Sequence, residues 1–228
     1  MSKLIEIRNV SYSIPYGKTV LQSIDIDLMP GDLLGVLGRN GVGKSTLMDL
    51  LLGVRPVSSG SIQVLGEDPL NVDRKNLNSI CFLSQDIVMK GSLSVRKVLD
   101  LYASYYDNYS KKEEESLLNF FQIRSDDKLG SLSTGQQKKV ATIAALSSMP
   151  KILLIDEITA VLDPETRGQF FQALNRHRAE YGMAVILATN IAEDLISRAN
   201  KVLFIEDGRG TVCNPGEILN LFNIGKIA

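Results

Sequence analysis

Apolar and polar positions alternate near the start of the chain. Leu4-Ile5-Glu6-Ile7-Arg8-Asn9-Val10 has period two and predicts a strand. Residues 20–28 repeat the pattern, with Ile24, Ile26 and Leu28 on one side. Pro30-Gly31-Asp32 marks a turn. The unbroken apolar run Leu33-Leu34-Gly35-Val36-Leu37 then predicts a short strand buried on both faces. A glycine-rich loop follows, residues 45–52 read as a helix, and Ser59-Gly60 turns the chain into a strand over 61–65.

The middle of the chain has a different period. Val95, Val98, Leu99, Leu101 and Tyr102 recur at helical spacing, so a helix is predicted across 94–118. Lys111-Lys112-Glu113-Glu114-Glu115 carries both signs and reads as a solvated helix start. Residues 86–143 form an expected all-helical insert. Two further buried strands are predicted at 152–155 and 184–188, followed by helical segments at about 166–181 and 192–199. Strands alternating with helices indicate a parallel sheet covered by helices on both faces. No internal repeat or long linker is visible, and the tail after Gly210 is expected to be too short for a regulatory domain.

Composition narrows the classes. The chain has 228 residues, 44% hydrophobic and 22% charged, which fits a globular protein and excludes intrinsic disorder. Lys and Arg number 25 against 26 Asp and Glu, so the net charge is −1 and a free-standing nucleic-acid binder is disfavoured. Cys81 and Cys213 form no C-x-x-C pair, and His177 is the single histidine. Neither a zinc site nor a disulfide framework is supported. His177 reads as an exposed surface residue. Glu6 and Arg8 interrupt the place of a signal peptide, and no apolar run approaches the roughly 20 residues needed to span a bilayer. A cytosolic location is expected, with any membrane role exerted through a partner.

Chemistry is concentrated in a few motifs. Gly38-Arg39-Asn40-Gly41-Val42-Gly43-Lys44-Ser45-Thr46 fits G-x-x-x-x-G-K-[ST] and lies between a predicted strand and a predicted helix. Such a loop wraps phosphate oxygens in backbone N–H groups, helped by the helix N-terminus. Lys44 is expected to reach the β- and γ-phosphates, and the Ser45 hydroxyl to ligate Mg²⁺. The strand at 152–155 ends in Asp156-Glu157. Asp156 is the candidate for the Mg²⁺ shell through water, and Glu157 for the general base that polarises an attacking water.

With Leu132-Ser133-Thr134-Gly135-Gln136 the chain resembles the ATP-binding-cassette (ABC) ATPases, whose signature usually reads Leu-Ser-Gly-Gly-Gln. Thr134 replaces the first glycine. The resemblance covers nearly the whole chain, and the motifs fall in the family's order. It implies a P-loop α/β fold: a parallel-sheet core and an N-terminal antiparallel β part (1–85 and 144–228), with the helical insert at 86–143. It also implies ATP and Mg²⁺ as cofactors. Tyr16 is similar to the family's adenine-stacking aromatic, with Tyr12 as its rival. Gln85 is similar to the glutamine linking Mg²⁺ and the attacking water to the insert, and Asp163 ends the loop that crosses to a partner subunit. The family geometry implies a head-to-tail dimer in which Ser133, Thr134, Gly135 and Gln136 of one subunit close on the nucleotide of the other. A separate transmembrane permease is implied as partner, with contact to the inner face of the cell membrane only through it.

Departures from the family pattern matter. Asn190 stands where the family has its switch histidine, Val161 where it usually has glycine, and Ile158 where it usually has proline. An asparagine amide is shorter than imidazole and never charged. Slow hydrolysis with ATP binding retained is therefore expected; the alternative is that Asn190 is a plain turn residue and other groups orient the water. The stretch Asp100-Leu101-Tyr102-Ala103-Ser104-Tyr105-Tyr106 resembles the stand-alone ATPases of bacterial ABC-2 type exporters. An exporter motor is the first reading. An ATP-binding switch or degenerate regulatory subunit with little turnover is the second. The soluble cassettes of translation or DNA repair come last.

Overall fold

The structure is a computed structural model that describes residues 2–85 and 90–218. The first positions of the expected insert, 86–89, and the tail from 219 lie outside the described residues. The chain forms two compact units, Met1–Asp73 with Ala184–Ala228, and Arg74–Met183. In chain order the first unit opens with β1 (Ile5–Ser13), β2 (Thr19–Leu28), β3 (Leu33–Leu37), α1 (Lys44–Leu51) and β4 (Ser59–Val64). The second contains α2 (Arg74–Leu77), β5 (Ile80–Ser84), α3 (Val95–Tyr105), α4 (Lys111–Phe121), α5 (Thr134–Ser147), β6 (Ile152–Asp156) and α6 (Pro164–Tyr181). The chain then returns to the first unit with β7 (Ala184–Thr189), α7 (Glu193–Ile196), β8 (Lys201–Glu206) and β9 (Arg209–Cys213).

The first unit holds strands in the order β4-β1-β2-β9-β8-β3-β7. β1 pairs antiparallel with β2 and β4, giving the expected antiparallel β part. Its period-two pattern buries Ile5 and Ile7; a register shift at Asn9, at φ 46°, then resets the alternation so that Val10 is buried next. β3 is parallel to β7 on one side and to β8 on the other, and all five of its residues are buried. That double pairing is why the sequence there is unbroken apolar and not alternating. Leu37, the last residue of β3, is in register with Thr189 and Phe204. Whatever follows Leu37 and Thr189 therefore leaves the sheet side by side, at the carboxyl ends where α/β sheets bind ligands. β8 and β9 lie outside the elements predicted from the sequence. Their hairpin turns on Asp207-Gly208, both at positive φ, and this Asp-Gly pair between two apolar runs is the signal that marks it.

In the second unit β5 and β6 are parallel, with Ser84 opposite Asp156. α5 packs on α3, α4 and α6. The helix predicted across 94–118 is two helices. Ser94 caps α3 by accepting the Lys97 N–H (3.3 Å), and Ser110 caps α4 by accepting the Glu113 N–H (3.2 Å). Asp107-Asn108-Tyr109-Ser110 favours turns and caps over helix interior, which breaks the run.

The expected solvated start of α4 needs a second correction. Glu113 and Glu114 are buried. Glu114 accepts from Arg96 (2.5 Å), the Tyr109 hydroxyl (2.6 Å) and Lys111 (3.1 Å). Burial pushes its carboxyl up, but these hydrogen bonds and the Arg96 charge outweigh burial and hold it below the usual carboxylate range. Of that stretch, Lys111, Lys112 and Glu115 are exposed. His177 is likewise buried, at 1% exposure, and is not the surface residue expected. Among the described residues no helix is long and apolar enough to cross a membrane.

Candidate functional site

In the first unit the glycine loop leaves β3 and feeds α1. Gly43 is the cap residue, at φ 114°, a conformation that strains any side chain. A Cβ on Gly38 would lie 2.7 Å from the Ile205 carbonyl of β8, so the loop can start against the sheet only as glycine. Lys44 is 4% exposed and donates to the carbonyls of Gly38 (2.8 Å) and Arg39 (3.0 Å), the loop's own backbone. Arg39, Asn40, Gly41 and Ser45 are exposed, while Val42 and Thr46 are half-buried. Beside the loop lies a cavity of about 190 Å³ lined by Lys18, Thr19, Val20, residues 39–42 and the Asp207-Gly208 turn. A buried ammonium, a glycine loop and a helix N-terminus form a cradle for a polyphosphate.

Two other candidates belong to the same unit. Asn190 follows β7, and its Nδ2 donates to Asn40 Oδ1 of the loop at 3.3 Å. The register of β3 and β7 brings them together. Tyr16 is fully exposed, at φ 57°. Its rival Tyr12 is buried, with its hydroxyl accepting from Arg55 at 3.3 Å, and offers no open ring face.

The second unit groups the remaining candidates. Gln85 and Asp156 lie at the same end of the parallel pair β5 and β6, and the Gln85 N–H donates to the Asp156 carbonyl at 3.1 Å. Glu157 sits at φ 52°, a left-handed conformation uncommon for glutamate. Ser133 caps α5 reciprocally: its hydroxyl accepts the Gln136 N–H (3.2 Å), and Gln136 Oε1 accepts the Ser133 N–H (2.9 Å). The hydroxyl proton of Ser133 is not used in that cap. The helix starts at Thr134, directly after this cap. Asp163 caps α6 by accepting the Thr166 N–H at 2.9 Å, and the Thr166 backbone and hydroxyl hold its carboxyl below the usual range. Ile158 is buried at the position where the family has proline, whereas Val161 is exposed.

Sequence reasoning missed Lys138. This lysine of α5 is buried, and its ammonium donates to the Gln85 carbonyl. It ties the backbone at Gln85 to the helix that Ser133 caps. A lysine five residues after a helix cap looks like a solvent-facing residue, so only the fold reveals it. Among the described residues no three His, Cys, Asp or Glu side chains gather into a metal cage. Ser45 in the first unit, and Gln85 and Asp156 in the second, each carry oxygen donors of the hard type that Mg²⁺ takes.

The family model described as ABC transporter matches residues 21–160. Nod factor export ATP-binding protein I of Sinorhizobium fredii (strain NBRC 101917 / NGR234) is 32% identical over 91% of this chain, which spans 62% of that relative's length. The methionine import ATP-binding protein MetN of Clostridium tetani (strain Massachusetts / E88) is 31% identical over 96% of this chain and 71% of its own. Among solved structures, cbiO1 from Clostridium perfringens, part of the transporter complex cbiONQ, superposes with a TM-score of 0.81 at 27% identity, over 98% of this chain and 93% of that one. The ATP-binding subunit of another ABC transporter reaches 0.85 at 22% identity, over 99% and 95%, a likeness of fold alone. On these matches the chain belongs to the ABC transporter family and carries its ATP-binding, ATP-hydrolysing cassette, with ATP and Mg²⁺ as ligands.

Proposed function

We propose that this chain is the motor subunit of a membrane exporter, hydrolysing ATP within a head-to-tail dimer of ATPase subunits. The observation that carries the reading is the phosphate loop, with Lys44 buried against its own carbonyls where a triphosphate would draw the ammonium outward. Residues 38–46 hold the phosphates and Tyr16 stacks on the adenine. Ser45 and Gln85 would hold Mg²⁺, with Asp156 acting through water. The metal, when bound, neutralises charge on the β- and γ-phosphates. Glu157 polarises the attacking water, and Asn190 donates to the terminal phosphate. Residues 1–85 and 144–228 act as the nucleotide-binding core, with 86–143 as the helical insert that meets the permease.

Closure across the dimer has a specific support. A Cβ on Gly135 would meet nothing of its own chain closer than Asp163 Oδ2 at 3.5 Å, ordinary contact. The fold of this subunit does not demand a glycine there. A close approach from outside, by the nucleotide on a partner's loop, does. Ser133 with its hydroxyl proton and Asp163 belong to the same surface. Export is favoured over import because the Nod factor relatives, named for export, are 32% identical. Relatives named for methionine import are 28–31% identical. The subunit sits on the cytoplasmic face, held by a separate permease.

The second reading, an ATP-driven switch with little turnover, is favoured by Asn190, with the departures at Val161 and Ile158, since losing one transition-state donor costs about 10²–10³ in rate. Steady-state ATP hydrolysis by the purified chain, against Glu157→Gln and Lys44→Ala, tests both. Activity well above Glu157→Gln supports the motor. Tight ATP binding with activity equal to that variant, even after reconstitution with its permease, supports the switch. Folded wild-type protein that binds no ATP overturns both.

A further inference from the structure

Asn190 is too short to do by itself what an imidazole does at a strand end, yet its amide is not left to wander. β3 and β7 end in register at Leu37 and Thr189, which delivers residue 190 beside the glycine loop. Thr189 is buried, and its Oγ1 accepts the Ile191 N–H at 3.0 Å, fixing the turn on which Asn190 stands. From there Asn190 Nδ2 donates to Asn40 Oδ1 at 3.3 Å. Both side chains are exposed, so this bond contributes little to the core. It does fix one rotamer of each amide next to the phosphate cradle.

We propose that Asn40 is a positioning residue for Asn190, holding the Asn190 amide where it reads the terminal phosphate of the nucleotide. The inference rests on the nucleotide reading above. An asparagine amide has two N–H groups and one oxygen. With one N–H of Asn190 given to Asn40, the second is left for a phosphate oxygen. Asn40 accepts through Oδ1 and acts on the anion through Asn190. Ordering them before the nucleotide arrives reduces the entropy lost on binding. Neither amide titrates, so the pair works unchanged across the pH range in which imidazole switches.

The test is a double-mutant cycle on binding, read by calorimetry with ADP and with the non-hydrolysable ATP analogue AMP-PNP. Asn40→Ala and Asn190→Ala should each weaken AMP-PNP by about three- to tenfold, a hydrogen bond to a charged group in a partly solvated site. ADP affinity should fall less than AMP-PNP affinity, and circular dichroism with thermal melting shows that each variant is folded. The double variant should lose no more than the larger single loss. Losses that multiply in the double variant, or an unchanged AMP-PNP affinity in Asn40→Ala, overturn the proposal while leaving ATP binding intact. Wild-type protein that binds neither ligand overturns the nucleotide reading itself, and the proposal with it.

Discussion

His177 Nε2 on α6 lies 3.5 Å from Glu113 Oε1 on α4, with the ring 1% exposed. Arg176 already engages that same oxygen, and the Tyr181 hydroxyl reaches Glu113 Oε2 at 3.4 Å. Nδ1 is satisfied by the Ala173 carbonyl at 3.0 Å. Burial is the largest influence on the ring; with the Arg176 charge beside it, it pushes His177 down to about 4, against the weaker pull of the Ala173 carbonyl and Glu180. The sign follows. The unfolded chain binds the proton near pH 6.5 and the folded chain does not, so this contribution is complete above 6.5 and is lost as pH falls toward 4. Its ceiling is about 3 kcal/mol. The thermal midpoint of the wild type should therefore fall more between pH 7 and pH 5 than that of His177→Gln. A steeper fall in the variant would mean that Glu113 holds the imidazole protonated.

Gly35, in the middle of β3, faces Leu195 of α7. A Cβ there would lie 2.5 and 2.6 Å from the two Leu195 methyls, and Leu195 is itself fully buried. Gly35→Ala should cost about 1–3 kcal/mol by overpacking. Urea denaturation of Gly35→Ala, Leu195→Ala and the pair checks this. The double variant should be more stable than the sum of the single losses predicts, because the added methyl fills part of the space Leu195 vacates. Strict additivity would place the strain elsewhere.

Much of this was legible in the sequence because local pattern and tertiary demand agree. β1 alternates because one face is buried; β3 is unbroken because β7 and β8 flank it. The phosphate loop was legible because its glycines answer local backbone needs, as Gly38 and Gly43 show. What stayed hidden depends on partners distant in sequence. Glu113 and Glu114 look solvated until Arg96 and Arg176 are placed beside them. Lys138 gains its role only when Gln85 comes within reach. The Asn190–Asn40 bond joins residues 150 positions apart. The break at 106–110 was missed for a different reason, because the helical period on either side outweighed a short capping signal.

Asn190→His should raise turnover, by up to about 10²–10³ if the missing donor alone limits the rate. It should also introduce an acid-side change in kcat near pH 6.5, where imidazole titrates and asparagine does not. Wild-type kcat should lack that feature. The measurement is kcat against pH for both proteins, at saturating ATP and Mg²⁺. Equal rates with identical pH profiles would show that the water is oriented without help from position 190.

Gly135→Ala separates the needs of the fold from the needs of the dimer. The position lies in the first turn of α5, and the added methyl would come no closer to its own chain than Asp163 Oδ2 at 3.5 Å. Alanine is the better helix former, so folding stability should be unchanged or should rise by up to about 1 kcal/mol. If a partner's nucleotide approaches this backbone, the same methyl blocks it, and an obstruction of about 1–3 kcal/mol lowers ATP hydrolysis about five- to 150-fold. Thermal melting and steady-state ATPase on one preparation give both numbers. Sedimentation with ATP in the Glu157→Gln background adds the mechanism: dimers should form with Gly135 in place and fail to form when both copies carry Gly135→Ala. Stability and ATPase both unchanged would mean that nothing comes close to Gly135, and the head-to-tail dimer would lose its main support in this chain.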